Sequence, residues 1–236
     1  MKDFIYYIEK LTQPAEIELS VAQLHSMERY YHALVENNKE FNLTSNIEPE
    51  EAALHHFFDS ITVAQAIPQN SSVLDVGSGA GFPIAPLKII RPDIDAYALE
   101  ATEKKCAFIA KAAKEAGIEI SVICGRAEAA AREEYRGSFD VCVSRAVASL
   151  DMLLELCIPF LKVDGLFLAY KGDYKKELTQ AENALLHLHT EWTDTIKMPV
   201  HGYNRNVLVF RKKWKQKKNI RATMRASKKI HYKSFY

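Results

Sequence analysis

The sequence predicts an α/β fold, a mainly parallel, seven-stranded sheet with an N-terminal helical cap and a basic C-terminal tail. Three observations lead there. An apolar stretch, Ser72 to Val76, runs into glycines at 77, 79 and 81 and then into Pro83. From Ser72 onward, short apolar runs alternate with helical periodicities. Ahead of Ser72 the recurring apolar spacing is helical, to about residue 66.

Within the cap, residues 1–70, Ile5, Ile8 and Leu11 recur at helical spacing; after Pro14, Val21, Leu24, Tyr31, Leu34 and Val35 do so again. The asparagine-rich run from Asn37 to Asn46 is too polar for a helix interior. Pro49 and Glu50 then open a third helix carrying His55, His56, Phe57, Phe58 and Asp59. No glycine- or serine-rich linker follows Pro68-Gln69-Asn70-Ser71, so the cap is expected to pack on the sheet.

The body, residues 71–211, opens with strand, glycine loop and a helix to Ile90. A strand from Asp95 to Leu99 ends at Glu100, and an amphipathic helix over 103–116 stops at Gly117. Strands follow from Ile118 to Ile123 and from Phe139 to Val143, the latter ending in Ser144-Arg145. A helix from Leu150 to Leu161 leads to a strand from Gly165 to Tyr170, ending at Lys171. A polar helix over 173–188 precedes two antiparallel strands, near 192–198 and 206–211. Alternating units of this kind imply parallel pairing through right-handed crossovers.

Composition narrows the class. Hydrophobic residues make up 48% and charged residues 26%, the balance of a soluble globular chain. No apolar run is long enough to span a bilayer, and Met1-Lys2-Asp3-Phe4 does not open a secretory signal, so a cytoplasmic protein is expected, with a monomer favoured. Cys106, Cys124, Cys142 and Cys157 form no C-x-x-C pair and predict free thiols, not disulfides. The histidines include no H-E-x-x-H, so no metal is expected. The net charge of +1 hides an asymmetry: after Asp194 come 13 Lys and Arg and no carboxylate, leaving 18 bases against 30 acids before it. A basic end on an acidic body points to a polyanionic partner, or to a solvated tail.

Gly77, Gly79 and Gly81 permit a tight turn and let a bound molecule approach the main chain. With a helix starting near Pro83, the stretch forms a cradle for a nucleotide-type cofactor. It departs from the dinucleotide pattern G-x-G-x-x-G, because the third glycine comes one residue early and Phe82 holds the later position. With Asp75 ahead of it, D-x-G-x-G-x-G resembles the first motif of methyltransferases that use S-adenosyl-L-methionine. A ligand-free glycine turn and a nicotinamide-binding fold are the competing readings.

Ligands of open α/β sheets bind beyond the carboxyl ends of the strands, where the candidate residues fall in turn. Asp75 is suited to orient the loop. Glu100, followed by Ala101 and Thr102, can accept ribose hydroxyls, or can interact with the start of the helix from 103. Ala127 and Glu128 follow the third strand; Glu128 is an adenine neighbour or a surface acid. Ser144-Arg145 follows the fourth, in place of the Asn/Asp-Pro-Pro-aromatic motif used on exocyclic amines.

An ordered set of landmarks then becomes specific. It runs through Asn42-Leu43-Thr44-Ser45, His55 or His56 with Asp59-Ser60, Leu74 to Pro83, Ser144 to Leu150, Tyr170-Lys171-Gly172 and Arg205-Asn206-x-Leu-Val. In these the chain resembles the bacterial small-subunit (16S) ribosomal RNA guanine-N7 methyltransferases, the glucose-inhibited division protein B family. The resemblance implies a Rossmann-like class I fold, S-adenosyl-L-methionine as cofactor, and 16S ribosomal RNA or the small ribosomal subunit as partner. It implies cofactor contacts at Gly77, Phe82, Ala127, Glu128 and Arg145. Arg145 would fix the methionyl end of the cofactor or hold the guanine. Read from the residues, Lys171 and Arg205 contact RNA phosphate or serve as surface charges, and Arg211, Lys212 and Lys213 are further RNA-binding candidates. The tail, residues 212–236, departs from the proline- and lysine-rich ending of many relatives but keeps the charge and interleaves aromatics, which suits RNA. An assembly factor without turnover, and a methyltransferase for a small molecule or protein, are the rival functions.

Overall fold

Alternation along the central strand sorts the core into two layers. Val73 on β1 (Ser72–Val76) belongs to one buried apolar cluster, while Leu74 and Val76 belong to the other, on the opposite face. A computed structural model describes residues 3–45, 47–132, 134–145, 148–198 and 205–214. Beyond β1 its strands are β2 (Asp95–Glu100), β3 (Ser121–Cys124), β4 (Phe139–Arg145), β5 (Leu161–Lys171), β6 (Thr190–Lys197) and β7 (Asn206–Lys212). They form one sheet in the order β3-β2-β1-β4-β5-β7-β6. The first five run parallel, and β7 pairs antiparallel with β5 and β6. The strand order reverses between β1 and β4, so the crevice for a ligand lies beyond their carboxyl ends.

The first face carries α5 (Ile84–Ile90), α6 (Glu103–Ala116) and the cap. The cap consists of α1 (Phe4–Thr12), α2 (Val21–Phe41), α3 (Pro49–Ala52), a π-helical segment Ala53–Phe58 and α4 (Asp59–Ile61). Phe4, Ile8, Met27, Tyr30, Leu34 and Phe57 share one buried cluster with Val73, Ile84, Phe108 and Val141, so cap and sheet have a common core. Phe4 stacks on Tyr31 with ring centroids 4.5 Å apart and meets Phe57 edge-on at 4.7 Å. Ser20 and Gln23 close a capping box on α2, worth about 1 kcal/mol. The second face carries α7 (Ala127–Ala130), α8 (Leu150–Cys157), α9 (Lys175–Gln180) and α10 (Glu182–His187).

Several expectations change. The helix α2 runs on through Asn37 to Phe41 and ends at Asn42, whose φ of +48° is left-handed; Asn37 Nδ2 donates to Ala33 O, which makes its polar side chain compatible with the helix. Val21 has helical spacing yet is 68% exposed. The third helix widens into a π segment, and the polar helix after Gly172 divides at Ala181. The helix from Leu150 stops at Cys157, where Pro159 falls in a 3-10 turn. The amides of Gly117 and Ile118 turn back to the carbonyls of Lys114 and Ala113, which draws Ile118 into the cap of α6 and delays β3 to Ser121. Cysteine spacing predicts four free thiols; the structure joins Cys106 to Cys124 in a disulfide and buries Cys142 and Cys157 as thiols. The linked pair is 18 residues apart, brought together by a strand-to-strand crossover that spacing does not reveal. Among the described residues no helix is long and apolar enough to cross a membrane.

Candidate cofactor site

The glycine loop is fastened to β2 from below: the amides of Gly77 and Ser78 donate to Leu99 O at 2.8 and 3.2 Å. Gly79 has φ +58°, and a Cβ placed there would meet no atom within 4 Å, so its main chain faces open space. Gly81 is tight for a different reason. Its φ is +84°, and a Cβ there would lie 2.0 Å from the hydroxyl of Tyr30, which donates to Ala80 O at 3.0 Å. Tyr30, fully buried on α2, thus presses the cap onto the loop, and burial pushes its hydroxyl pKa upward. Apolar periodicity alone gives Tyr30 no role; the signal for it is only that it precedes Tyr31 on a helix face with Met27 and Leu34. We expect Gly81→Ala to destabilise the protein by roughly 2–4 kcal/mol through clash and backbone strain. Tyr30→Phe, added to it, should recover part of that loss; urea unfolding of both variants is the check, and strict additivity would disprove the contact.

Two carboxylates lie beneath and beside the loop. Asp75 is 0% exposed, and the Ser78 hydroxyl donates to its main-chain carbonyl, leaving both carboxylate oxygens without a hydrogen bond. Burial pushes its pKa up to about 7, against the opposing effects of the nearby Ser78 hydroxyl, the Arg145 charge and the Ile84 amide, and Glu100 adds to the rise. Glu100, at the end of β2, is buried and fully engaged: Oε2 accepts from Gly79 N and Oε1 from Thr102 N, both at 2.9 Å. Each of its oxygens has a second lone pair, so it can still accept hydroxyls. Ala101 and Thr102 beside it are exposed, and Ala127 and Glu128, in α7 after β3, are half-buried.

At the end of β4, Ser144 Oγ donates to Val76 O at 2.8 Å and locks this strand to β1. Arg145 next to it reaches into the cap. Its Nη1 donates to His55 O at 2.5 Å and to Asp59 Oδ2 at 3.1 Å, and its Nη2 donates to His56 Nδ1 at 3.3 Å. Because a guanidinium only donates, His56 must accept at Nδ1; its Nε2–H then donates to Thr44 Oγ1, 3.0 Å away. The His56 ring stacks on Phe82 at 4.8 Å, and the Arg145 guanidinium lies 5.6 Å from the centre of that ring. His56 therefore meets the guanidinium with its side chain, whereas His55 offers its carbonyl and pairs its ring with Glu51 at 2.8 Å. Ala146, Val147 and Asn46 lie outside the described residues.

The basic residues separate. Asn206 stands opposite Lys171 in the β5–β7 register and Arg211 opposite Leu166, so Arg205 is at the same end of the sheet as Arg145. Arg211, Lys212 and Lys213 are at the other end, because β7 runs antiparallel. The five RNA-binding candidates therefore do not lie at one end of the sheet. Lys171 is itself inward-facing: Nζ donates to Ala148 O and to Glu177 Oε2, both at 2.7 Å. Lys212 is buried, donating to Ile158 O and Leu161 O, and burial lowers its pKa to about 8. Neither ammonium is placed to meet a phosphate. Arg211 donates to Asp164 O at 3.0 Å, and Lys213 pairs with Glu191 at 2.7 Å. The tail from Lys215 lies outside the described residues.

Comparison with known proteins places the chain in a family. The profile of the family described as "rRNA small subunit methyltransferase G" matches residues 23–208. The ribosomal RNA small subunit methyltransferase G of Desulforamulus reducens is 37% identical over 224 residues, 90% of this chain and 91% of that protein. Its Bacillus subtilis namesake is 39% identical over 203 residues, 83% and 85% of the two chains. A crystal structure of a methyltransferase from Pyrococcus furiosus is similar with a TM-score of 0.55 at 18% identity, covering 80% of this chain and 98% of that one, a likeness of fold. The Rossmann-like class I methyltransferase architecture read from the strand ends thus coincides with close sequence similarity over most of the length, and the chain belongs to the rRNA small subunit methyltransferase G family.

Proposed function

We propose that the protein transfers a methyl group from S-adenosyl-L-methionine to the N7 of a guanine in 16S ribosomal RNA. The observation that carries the cofactor reading is the pair of buried carboxylates at the glycine loop. Asp75 is fully buried, its carboxylate oxygens near the Ser78 hydroxyl and the Ile84 amide but outside hydrogen-bonding geometry, and Glu100 holds the loop while keeping lone pairs to spare. Together with the open space at Gly79 they suit a ligand that brings hydroxyl donors and positive charge. The bound cofactor supplies a methyl group on a cationic sulfur.

The residues of this chain then divide the work. Gly77, Gly79, Gly81 and Phe82 border the methionyl part, Glu100 with Ala101 and Thr102 takes the ribose side, and Ala127 and Glu128 flank the adenine. Arg145, set by the cap, orients the methionyl end or the guanine. Guanine N7 has an in-plane lone pair and carries no proton, so its attack needs no general base. His56 and Asp59, two side chains at the end of β4 that could serve as bases, are both engaged by Arg145. Positioning and exclusion of water are the contributions this site makes. Residues 1–70 act as the cap on a catalytic body, residues 71–211, and the tail, residues 212–236, supplies with Arg205 the charge that meets RNA, except for Lys212, which is buried. The protein works as a monomer in the cytoplasm, where its substrate is; its large exposed apolar side chains are spread over separate elements.

Transfer of labelled methyl to small subunits lacking the modification, followed by identification of the labelled base, tests this. Label on guanine N7 of 16S RNA is expected; label on another base, or on protein alone, would overturn it.

A further inference from the structure

The disulfide occupies a particular place, between the two segments that the proposed function gives to ribose and adenine. Cys106 sits in the first turns of α6 and Cys124 closes β3, with Cα atoms 5.9 Å apart. Cys124 is in register with Glu100, and Gly125 N donates to Glu100 O at 2.8 Å. Cys106 Sγ lies 3.3 Å from the same carbonyl. The Glu100 carboxylate, in turn, holds Gly79 and Thr102. β3 is a four-residue edge strand paired only with β2, so the cross-link adds a second anchor to the start of the 125–128 loop. Cys124 is exposed and Cys106 is buried, whereas Cys142 and Cys157 are buried thiols away from this edge.

We propose that Cys106 and Cys124 form a reversible thiol–disulfide switch that sets cofactor affinity, the linked form binding more tightly. The inference rests on the cofactor reading above. The oxidant is a small disulfide such as oxidised glutathione. The exposed Cys124 thiolate attacks one of its sulfurs and expels a thiolate; the Cys106 thiolate then attacks Cys124 in the mixed disulfide and expels the second half. Two protein thiols give up two electrons and two protons, and one small disulfide becomes two thiols. A dithiol reverses the sequence. The linked form holds the Glu100 turn and the 125–128 loop at fixed separation, so less ordering remains for the cofactor to impose.

The experiment takes the full chain treated with oxidised glutathione or with dithiothreitol, its state verified by thiol count and intact mass. Affinity for S-adenosyl-L-methionine is then measured by calorimetry. Binding about tenfold tighter in the oxidised form is expected from pre-organisation, and Cys124→Ser should stay at the reduced value under both treatments. Equal affinities, tighter binding after reduction, or failure of oxidised glutathione to consume the two thiols would each overturn the switch and leave the cofactor reading intact. Absence of binding in both states would overturn the cofactor reading and the switch with it.

Discussion

Arg145→Ala is expected to cost the fold about 3–5 kcal/mol, because it strands a buried carboxylate. Asp59 is 2% exposed and meets the Arg145 guanidinium at 3.1 Å in the cap. The same substitution removes the donor to His55 O and to His56 Nδ1, and takes a cation from beside Phe82. Methyl transfer should fall with stability, so a second variant is needed to separate the effects. Asp59→Asn in the Arg145→Ala background removes the stranded charge and should restore roughly 2 kcal/mol, a coupling that additive behaviour would refute. If Arg145 also positions substrate or cofactor, transfer stays low in the double variant while urea unfolding recovers. A double variant that regains both would reduce Arg145 to a structural tie.

Asp75→Asn is expected to make the free protein more stable in mild alkali while weakening cofactor binding. Burial raises the native pKa of Asp75 to about 7, well above that of an unfolded chain. Below the unfolded value both states hold the proton. Between the two values the native state holds it more often, so stability falls as pH rises, and above about 7 the full penalty of a buried unpartnered anion is present. Asparagine does not ionise, so unfolding by urea between about pH 5 and 8 should show a shallower decline for the variant. At pH 8 the variant should be ahead by roughly 1–3 kcal/mol, the desolvation penalty less what a buried amide itself lacks in partners. Affinity for S-adenosyl-L-methionine should drop by about tenfold or more if the carboxylate faces the cationic part of the cofactor. Identical pH slopes would show that the carboxylate finds a partner in solution.

Local chemistry carried the strands and their ends, since apolar runs, glycines and the stop at Gly117 act over a few residues. It carried Glu100 too, because a carboxylate at the end of the second strand is a matter of spacing. What it missed depends on distant partners. Arg145 meets Asp59 across 86 positions, and Tyr30 meets Ala80 across 50. Neither pairing has a periodic signature. Lys212 is an instructive miss, because the signal was present. Leu208 and Phe210 face one core cluster while Val207 and Val209 face the other. Lys212 has the parity of Leu208 and Phe210, so strict alternation would have turned it inward, away from the basic run in which it stands.

The direction of the last described strand has a consequence for how much RNA the enzyme senses. The chain enters β7 at the pole where Arg145 closes β4, and leaves it at the opposite pole. The 22 residues after Trp214 therefore begin about 20 Å from the pocket, a strand length away. On the reading proposed above, in which the tail meets RNA, the RNA element it meets need not be the one that presents the guanine. Recognition of the kind proposed would be bivalent, with an avidity that depends on a substrate long enough to touch both poles at once. On that proposal, a short fragment holding only the target nucleotide would meet the pocket and be indifferent to the tail.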